Sequence, residues 1–247
     1  MKRLLLLATL LVPWVAGCER ADLIEPTVAT TTKIALPVAP PSAPRKIVLL
    51  GDSLARGTGD ELRQGIGGRL ENEFRLRGLP AVEVVNLGVN GAQTADVGAR
   101  LSQSRIREDL ADAGAIVLSV GANDLFRTQG SREQTMRAPL AVAERILTRI
   151  TEIVAELRKI NPKARILIIG GYNPVPNHQY ASTINRYLGL WDESLAAQFE
   201  EDPRVTVVKM SDVVTPARLS RLDSFHPGGE AYSEASRRIA AILLDLS

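Results

Sequence analysis

The stretch IVLLGDSLARGTGDE, residues 47–61, begins with four large aliphatic side chains and changes character within two residues. A short apolar run that ends in Gly, Asp and Ser is typical of a buried β-strand followed by a tight turn. Two interpretations are open: the turn is an ordinary one, or it presents Ser53 for chemistry. The stretch alone favours the ordinary turn, because turns prefer these residue types. The rest of the chain has to decide.

Four further apolar runs follow along the chain, at 82–86, 115–120, 165–170 and 205–209. Segments with helical spacing separate them. Buried strands that alternate with helices predict a parallel sheet with helices on both faces. We therefore expect a three-layer α/β/α domain with a five-stranded parallel sheet, in which residues 46–50 form the first and central strand.

The clearest helix is predicted at Pro139 to Ile160, since proline suits a first helical turn and Asn161-Pro162 ends the pattern. Another apolar stripe at helical spacing ends at Phe199 and indicates core packing; its members are Ile184, Leu188, Trp191, Leu195 and Phe199. A third contains Ile66, Leu70 and Phe74. We expect this third helix to start late, because each of the three nearby glycines (Gly65, Gly67 and Gly68) costs a helix about 1 kcal/mol relative to alanine.

The composition fits one globular domain, or at most two, rather than a disordered or fibrous protein: 247 residues, 45% hydrophobic and 23% charged. The chain carries two more basic than acidic residues, and Lys2 and Arg3 lie in the segment that we expect to be removed. The pI near 8.8 is therefore weak evidence for a nucleic-acid partner, and we predict none. The single cysteine, Cys18, excludes an intrachain disulfide.

The N-terminus has the features of an export signal. A basic start is followed by an apolar run from Leu4 to Val12, which is shorter than the roughly 20 residues that a spanning helix needs. Val15-Ala16-Gly17-Cys18 resembles a bacterial lipobox. We predict a lipoprotein signal peptide at 1–17 and an exported protein anchored to the cell-envelope membrane through lipidated Cys18. The alternatives are an uncleaved anchor and a signal cut elsewhere.

Residues 18–44 are rich in Pro, Thr and Ala, with little apolar periodicity. This composition is typical of an extended tether, or of a poorly ordered N-terminal arm if Cys18 is not lipidated. Residues 45–247 then form the folded domain, without an internal repeat or a second domain.

Ligands of parallel α/β sheets bind beyond the carboxyl ends of the strands, and the residues at these positions complete one mechanism. Ser53 follows the first strand, and its hydroxyl needs a base to accept its proton. His226 can serve as that base, and Asp223 is close enough in sequence to orient it. The N–H groups of Ser53 and Gly88 and the side-chain amide of Asn123 can stabilise an oxyanion.

Each of these residues also has a structural alternative. Gly88 could end a strand in a turn, Asn123 could cap a helix, Asp223 could cap the last helix, and His226 could pack in the structure. Their common position at one sheet edge, in an order that completes a mechanism, favours the catalytic interpretation.

These motifs resemble those of the SGNH, or GDSL, hydrolase family. Gly51-Asp52-Ser53-Leu54 matches the first family block, Gly88 the second, Gly121-Ala122-Asn123-Asp124 the third, and Asp223-Ser224-Phe225-His226 the last. The resemblance covers about residues 46–246. It implies a flavodoxin-like sheet, the roles of Ser53, His226, Asp223, Gly88 and Asn123 given above, and no metal or organic cofactor. An α/β-hydrolase fold is a weaker alternative, because Ser53 lacks the G-x-S-x-G setting.

We predict a serine esterase or lipase that cleaves carboxylic esters or thioesters through an acyl-Ser53 intermediate. Its partners would be a small-molecule or lipid acyl ester and the membrane, and the sequence leaves the oligomeric state open. One alternative is an O-acetylesterase or acyltransferase that acts on envelope polysaccharide. Another, from a different class, is a noncatalytic binding lipoprotein that keeps the fold.

Three features near the predicted site are less specific. Asp52 and Asp124 are expected to hold loops rather than to act as acid or base. The segment from Gly171 to His178 is interpreted either as a wall of the substrate cleft or as a surface loop with an exposed His178. The segment Thr58–Glu61 either shapes the cleft or leads into the next helix.

Overall fold

A computed structural model describes residues 43–126 and 138–245 of the chain. The predicted signal peptide, Cys18 and most of the predicted tether lie outside the described residues. The strands are β1 (Lys46–Gly51), β2 (Glu83–Gly88), β3 (Ala115–Ser119), β4 (Arg165–Ile169) and β5 (Val205–Val208). The helices are α1 (Ser53–Arg56), α2 (Gly65–Leu76), α3 (Thr94–Arg100), α4 (Ser104–Ala111), α5 (Ala122–Phe126), α6 (Pro139–Ile160), α7 (Ala181–Gln198) and α8 (Gly229–Leu243), with a 3-10 turn at Pro216–Arg218.

The five strands form one parallel sheet in the order β2-β1-β3-β4-β5. β1 is therefore an interior strand between β2 and β3, and β3 occupies the centre, which corrects the expectation that the first strand is central. The register pairs Gly51 with Gly88 on one side and with Ser119 on the other. This pairing places the ends of three strands next to one another.

Side chains alternate between two cores, one on each face of the sheet. From β1, Ile47 and Leu49 enter one core and Val48 and Leu50 enter the other, and all four are fully buried. The first core is covered by α2 and α8, and the second by α3, α4 and α6. The predicted α/β/α arrangement with a five-stranded parallel sheet is thus confirmed.

The helix at Pro139–Ile160 has the predicted bounds, but α2 starts at Gly65, earlier than expected. Packing explains the difference at Gly67. A Cβ added there would lie 3.1 Å from Val84 Cγ1 and 3.2 Å from Leu49 Cδ1. The glycine thus lets α2 lie close against the sheet, and this packing offsets its low helix propensity.

The first described residues, Ala43 and Pro44, precede β1 at the amino edge of the sheet. Pro44 packs against Gly114, just before β3: a Cβ added to Gly114 would lie 2.8 Å from Pro44 Cβ. The predicted site residues follow the strands at the opposite, carboxyl edge. Among the helices of 43–126 and 138–245, none is long and apolar enough to cross a membrane.

Candidate active site

A glycine brings the nucleophile turn close to β3. Gly51 has a φ of +135°, and a Cβ added to it would lie 1.8 Å from the carbonyl oxygen of Ser119. Only glycine fits such a backbone approach. The next residue, Asp52, donates its N–H to the same Ser119 carbonyl at 2.9 Å. Ser53 is thereby fixed at the start of α1, directly beyond the ends of β1 and β3.

The side chain of Asp52 stabilises the turn before Ser53 through two hydrogen bonds. It is 5% exposed, and its Oδ1 accepts hydrogen bonds from the Leu54 N–H at 3.0 Å and from the Ser119 hydroxyl at 2.8 Å. Burial raises the pKa of Asp52 to about 6, and the hydrogen bonds to Ser119 and Leu54 act in the opposite direction. The prediction that Asp52 holds a loop is confirmed by these contacts.

The structure brings Ser53, His226 and Asp223 into one hydrogen-bonded chain. His226 Nε2 lies 3.0 Å from Ser53 Oγ, and His226 Nδ1 lies 2.7 Å from Asp223 Oδ2. Both distances are within hydrogen-bond range. The arrangement has the geometry of a nucleophile, a base and a residue that orients the base.

Asp223 is held by its own loop as well as by the histidine. Its Oδ1 accepts the backbone N–H groups of Phe225 and His226, both at 2.9 Å. Partial burial alone would raise the pKa of Asp223, but the bonds from the His226 ring and from these N–H groups hold it below its ordinary value. The last helix, α8, has Gly228 at its N-cap, so Asp223 is not the cap that the alternative interpretation required.

The turn between Asp223 and His226 contains a residue with a positive φ. Ser224 has a φ of +53°, which non-glycine residues seldom adopt, and its N–H donates to the Ser220 carbonyl at 2.8 Å. Phe225 packs edge-on against the His226 ring, with centroids 5.1 Å apart. This packing and the Asp223 hydrogen bonds together set the direction of the imidazole.

Two of the three predicted oxyanion donors keep a hydrogen that no group in the described residues accepts. The Ser53 N–H is the first of α1, where helices leave N–H groups without an intrahelical partner. The Asn123 amide donates to the Ala92 carbonyl at 3.1 Å, which uses one of its two hydrogens. These two groups remain suitable for a substrate oxygen.

Gly88 differs from its predicted role. Its N–H donates to the side-chain Oδ1 of Asn86 at 2.9 Å, and a Cβ added to it would lie 2.3 Å from the Arg56 nitrogen. The absence of a side chain thus serves the close approach of α1 to β2, and the N–H is already engaged. This geometry does not favour Gly88 as an oxyanion donor.

Gly91, in the turn after β2, is a candidate donor that the sequence did not reveal. Its neighbour Ala92 accepts the Asn123 amide, and its neighbour Asn90 accepts the Thr58 hydroxyl at 2.6 Å. Gly91 thus lies between the Ser53 turn and Asn123. It has a φ of +77°, and its N–H donates to no residue in the described part of the chain. The Asn-Gly pair is a turn signal that could have pointed to it.

Asp124 holds the neighbouring loop, as predicted. It is 7% exposed and accepts the N–H of Thr94 at 3.0 Å and the Thr94 hydroxyl at 2.6 Å. These bonds join the start of α5, which carries Asn123, to the start of α3.

Tyr172, in the segment after β4, contacts the loop that carries His226. The Tyr172 hydroxyl donates to the Phe225 carbonyl at 3.2 Å, so this part of the segment abuts the histidine loop. His178, by contrast, is exposed. Across the described ranges, no group of three or more His, Cys, Asp or Glu side chains is arranged to hold a metal ion.

Comparisons with known proteins bear on the family and the fold. Residues 49–233 match the family described as GDSL-like Lipase/Acylhydrolase. The chain is 27% identical over 202 residues to the protein YpmR of Bacillus subtilis (strain 168), covering 78% of this chain and 79% of that protein. Among solved structures, it resembles the lipase Lip_vut3 from a goat rumen metagenome, with a TM-score of 0.67, 22% identity, and coverage of 79% of this chain and 96% of that one. It also resembles the acetylxylan esterase Axe2 of Geobacillus stearothermophilus, with a TM-score of 0.60, 16% identity, and coverage of 82% and 95%.

Proposed function

Because the chain belongs to the GDSL-like lipase/acylhydrolase family and is an ester hydrolase, we propose that it cleaves carboxylic esters or thioesters through a covalent acyl-Ser53 intermediate. The observation that carries this proposal is the hydrogen-bonded chain from Ser53 through His226 to Asp223. It supplies the base that a serine hydroxyl lacks near neutral pH.

In the acylation step, Ser53 Oγ attacks the carbonyl carbon of the ester while His226 Nε2 takes the hydroxyl proton. The Asp223 carboxylate accepts a hydrogen bond from the N–H of His226 Nδ1. This bond leaves Nε2 as the proton acceptor, and the negative charge of Asp223 stabilises the imidazolium that forms. The tetrahedral intermediate then collapses, and His226 returns the proton to the departing alcohol or thiol. Ser53 is left as an ester of the acyl group.

Negative charge develops on the carbonyl oxygen during this step. We assign its stabilisation to the N–H of Ser53, the side-chain amide of Asn123 and the N–H of Gly91, which takes the place predicted for Gly88. Fixed donors of this kind require little reorganisation during the reaction.

In the second step, a water molecule attacks the acyl carbon, and His226 again takes and returns a proton. Hydrolysis releases the acid and restores the Ser53 hydroxyl. Transfer to another alcohol would use the same residues, with that alcohol in place of water.

A fluorophosphonate probe tests the nucleophile directly, since it forms a covalent bond with an activated serine. We expect the wild type to be labelled, Ser53→Ala to be unlabelled, and His178→Ala, which changes the other histidine, to be labelled normally. A folded wild type that is not labelled would indicate a noncatalytic binding protein instead.

The acyl and leaving groups are tested with a panel of short and long aryl esters, an acyl thioester, a lysophospholipid and an acetylated sugar. We expect the esters and the thioester to be cleaved. An O-acetylesterase is the second candidate, supported by the fold shared with an acetylxylan esterase; in that case the acetylated sugar would be the preferred substrate.

We further propose that the protein is an exported lipoprotein with a signal peptide at 1–17, a lipidated Cys18 and a tether that ends at 44. The support is the order of basic, apolar and small residues before the single cysteine. We expect Cys18→Ala to abolish incorporation of labelled fatty acid and to release the protein from membranes without loss of esterase activity. Retention of the variant in membranes would favour an uncleaved signal anchor.

A further inference from the structure

The segment Thr58–Glu61, which we call the strap, is part of the connection between α1 and α2 and lies against the loop that carries His226. Glu61 is the main point of attachment. Its Oε2 accepts the Gly229 N–H at 2.9 Å, and its Oε1 accepts the Arg221 N–H at 3.2 Å. These two N–H groups flank His226 along the chain, one before it and one after it. A single carboxylate therefore joins both ends of the histidine loop to the strap.

The residue before Glu61 makes the strap rigid. Asp60 is 2% exposed and forms an ion pair with Arg69 at 2.7 Å. Its carboxylate also accepts three backbone N–H groups, those of Leu62, Gln64 and Gly65. A carboxylate with this many donors fixes the local backbone, and so fixes the direction in which Glu61 leaves it.

The rest of the strap contacts both the nucleophile and the base. The Thr58 N–H donates to the Ser53 carbonyl at 3.0 Å, and the Thr58 carbonyl accepts the buried Tyr232 hydroxyl at 2.7 Å. Gly59 packs closely against His226, since a Cβ added to Gly59 would be 2.5 Å from His226 Cβ. The strap therefore spans the space between the Ser53 turn and the backbone of His226.

The charge of Glu61 suits this position. Its Gly229 contact is at the first residue of α8, where the helix dipole favours a negative group. Hydrogen bonds from backbone N–H groups, its own and those of Gly229 and Arg221, lower the pKa of Glu61 below its ordinary value. The side chain is thus ionised, with both oxygens engaged, at neutral pH.

From these contacts we propose that Glu61 is a positioning residue for the reaction: it holds the histidine loop so that His226 Nε2 stays within hydrogen-bond range of Ser53 Oγ. The inference rests on the proposed roles of Ser53 and His226. The Glu61 side chain accepts N–H groups on both sides of His226, and the Tyr172 contact holds the loop from the side of β4.

Glu61→Ala tests the proposal, with Glu71→Ala as a matched control because Glu71 is an exposed glutamate on α2. We expect Glu61→Ala to lower kcat and the rate of fluorophosphonate labelling by about 10- to 100-fold, with KM for a small aryl ester little changed, because misplacement of a base affects the chemical step. Glu61→Gln keeps one acceptor oxygen and should fall between Glu61→Ala and the wild type. Glu71→Ala should match the wild type.

A second measurement does not depend on activity. The Nδ1 proton of His226, which is shared with Asp223, should give a downfield proton resonance, and His178→Ala assigns it because the chain has only two histidines. We expect this resonance to broaden or disappear in Glu61→Ala while the amide spectrum of the cores is kept. If Glu61→Ala does not fold, Glu61→Gln carries both measurements.

The outcomes separate this inference from the proposed function. A wild type that neither labels nor hydrolyses esters overturns the proposed function itself. A wild type that reacts, with folded Glu61 variants that keep its labelling rate and its His226 resonance, overturns the role of Glu61. Equal losses of rate in Glu61→Ala and Glu71→Ala would also overturn it, since the effect would then come from removing any negative charge rather than from the contacts of Glu61.

Discussion

The hydroxyl of Ser119 donates to Oδ1 of Asp52 at 2.8 Å, which joins the turn before the nucleophile to the end of the central strand. Asp52 is buried, and this burial raises the pKa of its carboxyl from 3.8 to about 6. The sign of this shift has a consequence for the pH dependence of folding.

Since the folded pKa lies above the unfolded one, Asp52 favours the folded state in acid. This contribution is fully present below pH 3.8 and is lost as pH rises through about 6. Asp52→Asn removes the titration. We therefore expect the free energy of unfolding of the wild type, relative to Asp52→Asn, to fall across this window by up to about 3 kcal/mol. Urea denaturation at several pH values measures it, and a difference between the two proteins that is independent of pH would contradict it.

Asp223→Asn should preserve the shape of the loop but remove the charge that orients the imidazole. The amide oxygen can still accept the N–H groups of Phe225 and His226, whereas the contact with His226 Nδ1 loses its ionic character. We expect kcat to fall by about 10²- to 10⁴-fold with little change in unfolding temperature. Steady-state kinetics and a thermal melt are sufficient, and an unchanged kcat would exclude Asp223 as the orienting residue.

Asn123→Ala should remove one oxyanion donor. We expect a loss of about 10²- to 10³-fold in kcat, seen with any ester because the donor binds the carbonyl oxygen. Asn86→Ala is the comparison: Asn86 donates to the Ala55 carbonyl at 2.9 Å and engages the Gly88 N–H. Its loss should lower stability by about 1 kcal/mol and affect kcat less. Equal losses of kcat in the two variants would argue against a specific role for Asn123.

Gly91 and Gly88 can be distinguished by their amide resonances. A covalent phosphonate adduct on Ser53 places an oxygen where the oxyanion forms, so the amide protons that bind it should move downfield. We expect large shifts for Ser53 and Gly91 and a small one for Gly88, whose N–H stays on Asn86. A large shift at Gly88, without one at Gly91, would restore the assignment made from the sequence.

Two glycine-to-alanine changes should have opposite effects. Gly51→Ala places a methyl group 1.8 Å from the Ser119 carbonyl at a φ of +135°, so we expect it to prevent folding or to separate β1 from β3. Gly98→Ala, in α3, meets nothing within 4 Å and should stabilise the protein by about 1 kcal/mol. Expression and thermal melts test both. A folded, active Gly51→Ala would show that the turn has more freedom than this geometry allows.

The fold was predictable because its main signals are periodic. Runs of Val, Ile and Leu marked all five strands to within two residues at each end, and the stripe from Ile146 to Ile160 marked α6, whose ends are set by Pro139 and Asn161. The order of the strands was less accessible. Whether β1 or β3 is central depends on which strands pair with each other, and no local pattern in the sequence shows this.

At the site, residue types predicted the partners of Ser53, since a serine that reacts needs a base and the chain has only two histidines. The error concerned Gly88 and Gly91. Gly88 ends β2 and Gly91 follows it by three residues, and what separates them is a hydrogen bond from the Gly88 N–H to the Asn86 side chain. The strap was also ambiguous in sequence, because the contacts of Glu61 reach residues more than 150 positions away.

The placement of Pro44 and Ser53 at opposite ends of β1 has a geometric consequence. The chain enters the sheet at one edge, and the reactive groups lie at the other, about 20 Å away for a six-residue strand. A domain attached to a surface through its N-terminus therefore reaches a substrate in that same surface only if the preceding chain bends back along the depth of the sheet. Substrates that approach from the surroundings meet no such requirement. Attachment at this edge would thus favour substrates from the surroundings over substrates in the surface that holds the domain.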